Sequence, residues 1–410
     1  MRIRMIGAAV LLLLLAGPAA AQSPFALLHM GEDVRSFDAR TDGRGGWGVA
    51  ESDTVIPCFD NIAGLTGLKK VAVVLSGYGD LRTATVDGAE RRSSNVRTPT
   101  VRAAVPFARG RLVLSAGFQA LRATQYDTRE ELALDLLDPD TGEVMETVEG
   151  LRYRLREGTQ FEVPLGASYR VHPRLSVAAS VNLVNGVIRE RLTESFLGTS
   201  EEDALFLALN SEVVEDAFDA VSATWGLQAE PVDGVRVGFR YTTPQNWSVT
   251  RINDMTGLAG DVQRDYEVHV PALWAAGADV AVSERWRAGL EYEAQAFSEL
   301  TGRTDWQQIS TDAWRFGVGV ERAGSDRRRG GWSNLPLRLG ASVQVLPYTM
   351  QGEEIRRTTL SVGTGVPLRG GNGHLDVALA RLWTGDAAKH GVEDAGWRLT
   401  VSLAGLERWW

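Results

Sequence analysis

Two acidic residues, Glu291 and Glu293, stand two positions apart in "LEYEAQ", the spacing at which a β-strand presents both carboxylates to one side. Such a pair can serve general acid–base catalysis or bind a cation. Here it has no catalytic company. The five histidines are not spaced as a metal site, and no G-x-S-x-G nucleophile elbow occurs. "GRGG" at 43–46 precedes no helix and lacks the lysine of a phosphate-cradling loop. The chain is therefore expected to be no enzyme and to carry no cofactor or metal. The two glutamates do have charged counterparts at similarly alternating positions: Arg236, Arg240, Arg315, Arg338 and Arg398. Inward charges of both signs describe a lumen crossed by ion pairs and water, in which most of them brace the wall.

The elements that would position these side chains are strands. In "GWRLTVSLAGL", Trp397, Leu399, Val401 and Leu403 alternate with Arg398, Thr400, Ser402 and Ala404. The same period of two recurs around Val235, Leu112, Trp286 and Trp314. Candidate strands lie near 69–78, 98–107, 111–122, 160–171, 175–188, 221–230, 234–243, 267–282, 285–297, 312–322, 335–346, 356–368, 374–384 and 396–408. Fourteen is an even number, as bacterial single-chain barrels require. The connections sort by length. Short turns ("ARG" at 108–110, "HPR" at 172–174, "PVDG" at 231–234, "SER" at 283–285, "RGGNG" at 369–373) alternate with long excursions at 123–159, 189–220 and 244–266. A soluble all-β domain explains the alternation but gives no reason for this sorting. The fold class expected is all-β, a 14-stranded antiparallel transmembrane β-barrel with an N-terminal plug in its lumen.

Composition agrees. "MRIRMIGAAVLLLLLAGPAAAQ" has the charged, apolar and small-residue regions of a secretory signal peptide over 1–21, and no later run is apolar enough for a spanning helix. The net charge is −9 without a long basic tract, which disfavours nucleic acid as a partner. The single cysteine, Cys58, is expected to be buried. "LERWW" ends an amphipathic strand on an aromatic residue, a pattern resembling the signal read by the barrel-assembly machinery, an expected partner during biogenesis. Outer-membrane lipid is another expected partner, and Trp383, Trp409 and Trp410 suit an interfacial aromatic girdle.

Between the leader and the first strand lies a segment, 22–68, that has neither helical nor strand period but does contain apolar residues. Its centre is "GRGGWGVAESDTVIPCFDNIAGLTGL". Inside a barrel it would have a surface to pack on. Further along, "TSEEDALFLALNSEVVEDAFD" at 199–219 reads as an amphipathic helix, with Leu205, Phe206, Leu209 and Val213 on its apolar face, and "EELALDLL" at 130–137 reads as a second short one. Such faces either pack on a neighbouring loop or shelter a ligand in an outer vestibule.

The opening run carries a family resemblance. Arg44, Gly45, Gly46, Gly48, Val49 and Ala50, with Trp47 among them, match a glycine-rich element, and Asn61, Ala63, Gly64 and Leu65 match an "NPAGL" element in which Ile62 replaces the proline. "GVRVGFRYTTP" at 234–244 and "LPLRLGASV" at 335–343 match later strands. Together they resemble the FadL-type outer-membrane transporters of long-chain fatty acids and aromatic hydrocarbons. The resemblance implies an inward-folded hatch, an outer apolar groove, and sideways release of a hydrophobic small-molecule ligand through a gap beside a kinked strand. Relatives of that fold also serve secretion, so two functions stand open. One is passive uptake of hydrophobic compounds across the bacterial outer membrane; the other is a scaffold or shuttle barrel. The expected division is 1–21 leader, 22–68 plug and 69–410 barrel. The sites that follow are a plug (Arg44, Gly45, Gly46, Trp47, Asn61, Ala63, Gly64), a vestibule (Leu205, Phe206, Leu209, Val213) and a lumen wall (Arg236, Arg240, Glu291, Glu293, Arg315, Arg338, Arg398). Pro164, Pro271 and "NLVNG" at 182–186 are the places to look for a kink.

Overall fold

Alternation in sequence becomes alternation of exposure in the computed structural model, where Leu379, Trp397, Leu399 and Leu403 face outward and Ala378, Ala380, Thr400 and Ser402 are buried. The structure describes residue 25 and residues 31–34, 38–54, 56–86, 88–137, 141–196, 211–255, 262–299, 311–324, 334–368 and 372–407. The leader over 1–21 and the residues Leu205, Phe206, Leu209, Trp409 and Trp410 lie outside these.

Fourteen barrel strands run through the described residues: β1 (Val71–Val86), β2 (Ala89–Phe107), β3 (Leu112–Leu137), β4 (Val144–His172), β5 (Leu175–Phe196), β6 (Ser211–Val232), β7 (Val235–Thr242 and Gln245–Met255), β8 (Val262–Val270 and Leu273–Ala281), β9 (Trp286–Gln295), β10 (Ala313–Arg322), β11 (Leu337–Met350), β12 (Glu353–Pro367), β13 (Gly373–Asp386) and β14 (Val392–Glu407). Each pairs antiparallel with the next, and β14 pairs with β1 from Val392 opposite Val86 to Glu407 opposite Val71. Closure leaves no free sheet edge, which is the condition for strands to cross a lipid layer. On the outer face, Trp274, Tyr292 and Trp314 lie side by side with ring centroids 5.3 and 6.3 Å apart, part of an aromatic belt.

Two expectations are corrected. Residues 130–137 belong to β3, and residues 211–219 belong to β6, where Val213 sits opposite Arg191 and Asp254. The helical period in those stretches loses to pairing: a hairpin already in register continues by adding neighbours to a ladder, whereas a short helix must nucleate alone. The described parts of the long excursions are therefore largely β-hairpins that prolong β3 to β8.

The wall is interrupted in two places. The β2–β3 ladder stops at Val101 opposite Phe118, although both strands continue. Farther out they meet again where Arg91 Nη2 donates to Asp127 Oδ1 (2.7 Å). Register shifts flank this seam, between Ser76 and Tyr78 in the β1–β2 pairing and between Ala120 and Arg122 in the β3–β4 pairing. Pro99, on the β2 edge, has no N–H to offer a partner. The second interruption is at 243–244 and 271–272, where β7 and β8 break side by side at Pro244 and Pro271. Of the suspected kink positions, Pro271 marks this break, whereas 182–186 runs through β5 with its β4 pairing intact.

The interior is layered. At the short-turn end, Phe59, Leu65 and Leu68 of the N-terminal segment pack with Val74, Ala104, Val113 and Ala404 of the wall. At the long-hairpin end, a larger apolar cluster gathers Phe25, Ile188, Phe218, Trp247, Val268, Phe297, Leu346, Tyr348 and Ile355. Charge is concentrated between them. The wall charges led to the expectation of a lumen crossed by ion pairs; the ion pairs are there, but the long-hairpin end of the interior is an apolar cluster.

Candidate functional site

The floor of the site is the N-terminal segment, which touches strands all around the barrel. Asp38 caps a single helical turn, α1 (Ala39–Asp42), through the Thr41 amide (2.7 Å). Asn61 caps a 3-10 turn at Ile62–Leu65 by accepting from the Ala63 amide (3.1 Å), so the turn forms with isoleucine where proline was expected. The same Asn61 side chain donates to the Val49 carbonyl (2.9 Å) and to the Leu227 carbonyl of β6 (3.0 Å), tying two parts of the plug to the wall. Ala63 is fully buried.

Backbone meets backbone along the glycine run. A Cβ at Gly319 would lie against the Arg44 carbonyl, one at Gly340 against the Gly45 amide, and one at Gly289 against the Trp47 ring. The wall's inward glycines on β9, β10 and β11 thus form a groove into which Arg44–Trp47 fits, and Gly45 takes φ +73 to follow it. At Gly64 a Cβ would strike the Glu51 carbonyl. The Gly46 carbonyl accepts from Arg315 Nη2 (2.9 Å).

Ion pairs hold this floor. Arg44 is buried, donates to Glu51 (2.5 Å) and Glu321 (2.9 Å), and stacks on Trp47 with its guanidinium 4.0 Å from the ring centroid. Glu321 also accepts from Arg40 (3.1 Å) and from Arg338 (3.0 Å), which reaches on to Asp376 (2.5 Å). Glu291 accepts from the Gly48 and Val49 amides (2.7 and 2.8 Å) and from Arg315 (2.6 Å). Glu293 pairs with Arg240 (2.6 Å), whose other arm donates to the Asp60 carbonyl (2.9 Å). Arg236 donates to the Ser52 carbonyl, and Arg398 pairs with Asp80 (2.8 Å). The structure thus places all seven proposed wall charges on the inside and brings six of them to the plug or to its ion pairs; Arg398, stacked over Tyr78, joins the segment less directly, through Asp80 and Arg82 to Glu32.

Burial together with the nearby Glu291 carboxylate pushes the Asp60 carboxyl up to about 7. Burial, reinforced by Asp60, Asp38 and Glu51, raises the Cys58 thiol well above its ordinary value, so this buried cysteine is an unreactive packing residue.

Above the floor lies a cavity of about 170 Å³. Phe59, Asp60, Asn61 and Ile62 form its base; Leu121, Trp247, Val270, Phe297, Leu346 and Tyr348 form its apolar wall, and Gln119, Glu162 and Asn182 a polar one. Arg122 extends over both Trp247 and Phe297, 5.5 Å from each centroid. Between cavity and seam runs a strap. Glu32 and Asp33 pair with Ala123 and Arg122 of β3, and the Val34 amide donates to the Leu121 carbonyl (3.0 Å). The strap gives the free β3 edge its hydrogen bonds, and Glu32 is anchored across the lumen by Arg82 (2.9 Å) and Arg357 (2.6 Å).

Sequence reasoning missed Glu321, the shared acceptor of three arginines, although it has the same parity on β10 as Arg315. It also missed Phe25, Glu32 and Trp247, whose roles depend on distant strands.

Residues 237–410 match a family model described as BamG. No curated protein matches the chain in sequence. Among solved structures, the chain is similar to the Ralstonia pickettii toluene transporter TbuX (16% identity, TM-score 0.58, 91% of this chain and 99% of that one). It is also similar to a Pseudomonas aeruginosa FadL homologue (12%, 0.59, 92% and 99%) and to the Pseudomonas putida toluene transporter TodX (15%, 0.54, 92% and 99%). The chain has the FadL-type barrel fold.

Proposed function

We propose that the protein is an outer-membrane channel through which hydrophobic small molecules pass inward passively, leaving sideways rather than through the floor. The observation that carries this reading is the cavity, apolar on one wall, next to a gap in the β2–β3 ladder, with the strap at 31–34 between them among the described residues. A plugged lumen is a poor conduit for water-soluble solutes. An apolar ligand, by contrast, gains from burial against Trp247 and Phe297 and then from entering lipid. The similarity to structures described as toluene transporters supports hydrocarbons as the ligand class. Size points the same way: an apolar cavity of about 150 Å³ accommodates benzene, and a long acyl chain would need the strap to move. Arg122, between the two aromatic rings, would meet the carboxylate of a fatty acid but offers little specific to toluene.

The test is uptake of radiolabelled toluene and oleate by cells lacking the gene and complemented with variants. Phe297→Arg should abolish uptake of both, whereas Arg122→Ala should lower oleate uptake alone. Toluene uptake unchanged by Phe297→Arg in a normally assembled barrel would sink the reading. A second reading, a barrel serving assembly or secretion at the outer membrane, draws support from the BamG match over 237–410 and from the locked floor. It predicts that gene loss leaves uptake intact but lowers the amounts of other outer-membrane barrels.

A further inference from the structure

On β13, Arg381 falls on the outward side of the wall: Leu379 and Trp383 on either side of it in that set are exposed, and the intervening Ala380 and Leu382 are buried. It lies directly opposite Trp397 of β14. Its guanidinium sits 5.3 Å from the ring centroid of Trp383 and 5.3 Å from that of Trp397, so two indoles flank one cation. Among the described residues Arg381 makes no hydrogen bond or ion pair, so its N–H donors are unspent.

The surrounding residues give its depth. Toward the short-turn end the outward neighbours are apolar, Leu379, Leu399 and Val362. Toward the long-hairpin end they become Thr358, Thr83 and Glu393. Arg381 and its two tryptophans therefore lie where the apolar band ends, at the level of lipid headgroups on the outer side. An arginine facing acyl chains is costly at mid-depth and nearly free at this border. Held rigid by stacking, with a planar fork of donors and no protein acceptor, it matches one chemistry in particular, the oxygens of a phosphate.

We propose that Arg381, clamped by Trp383 and Trp397, is a binding site for the phosphate of an outer-leaflet lipid headgroup. The acyl chains of that lipid would lie along Leu379, Leu399 and Val362. Lys389, exposed and nearer the long-hairpin end, adds positive charge on the approach, whereas Arg356 is paired with Glu354 (3.6 Å). The proposal rests on the outer-membrane reading but not on what the channel carries.

The test uses the full-length protein purified in detergent and bisphosphorylated lipid A as probe, with native mass spectrometry counting bound lipid. Wild type should retain one lipid A that survives dilution, with at least tenfold weaker retention for Arg381→Gln and an intermediate value for Arg381→Lys. Acyl-matched, dephosphorylated lipid A should bind wild type no better than Arg381→Gln. Unchanged heat-modifiable gel migration establishes that each variant is folded. Equal retention by wild type and Arg381→Gln would overturn the site, as would displacement of lipid A by millimolar inorganic phosphate. A wild-type barrel that failed to insert into vesicles at all would instead overturn the membrane reading.

Discussion

The two halves of the interior are built on opposite principles. The lower half holds a glycine-rich plug against inward glycines by a chain of buried ion pairs running from Glu51 through Arg44, Glu321 and Arg338 to Asp376. The upper half is an apolar cluster around Trp247, Phe297 and Tyr348, to which Phe25 of the plug segment belongs. Charge fixes position because a buried guanidinium has few acceptable geometries; apolar packing tolerates rearrangement because any close contact of similar volume serves nearly as well. A floor that must stay shut and a chamber that must accept a guest call for this division.

The largest effect should come from the hub of the floor. Glu321→Leu leaves Arg40, Arg44 and Arg338 without their shared acceptor and should cost about 3–5 kcal/mol, the usual penalty for breaking a buried charge cluster from one side. Denaturant unfolding of the purified barrel would show the loss. Planar-bilayer recordings should show openings that the intact protein lacks, while toluene binding above the floor persists. If conductance stayed closed, the ion pairs would not be what seats the plug.

A smaller effect is expected where backbone meets backbone. Gly319→Val places methyl groups against the Arg44 carbonyl and should destabilise by about 1–3 kcal/mol, as overpacking does elsewhere. The plug's proteolytic susceptibility should rise near 43–48 without loss of the barrel. Resistance equal to that of the wild type would mean the groove has room to spare.

The subtlest difference is in pH. Asp60 titrates near 7 in the seated plug against 3.8 ordinarily, so between those values the folded state holds a proton that the unfolded state has lost. The contribution to stability is therefore present in acid, declines as pH rises from about 4 to about 7, and is level above that. Asp60→Asn should flatten this slope when unfolding midpoints are compared at about pH 5 and about pH 8. A slope identical to that of the wild type would assign the pH dependence to other groups.

How far the sequence carried differed by region. Strand count, closure and the side each wall charge faces follow from a period of two, which sheet geometry imposes whatever the partner. Asn61 and Gly45 were picked out through the family resemblance, and the structure supplies the local reasons, a cap and a positive φ, that restrict residue type there. The helix read at 130–137 and the described part, 211–219, of the one read at 199–219 are strand, because their periodicity is ambiguous over a few residues and the growing hairpins chose pairing. Little local marks the seam: Pro99 lacks an N–H, but Val101 and Phe118 look like any other strand residues, and the ladder ends there between two flanking pairings that both shift register.

By itself, the sequence determined a closed, outward-apolar β-barrel with an inward-folded glycine-rich segment, since alternation and turn chemistry are properties of neighbouring residues. Only the tertiary structure decided that Glu321 gathers three arginines, that residues 31–34 strap the open edge of β3, and that Arg381 stands between two tryptophans. Each of those joins residues far apart in the chain, and their distances are set by barrel closure, a constraint that no local stretch of sequence contains.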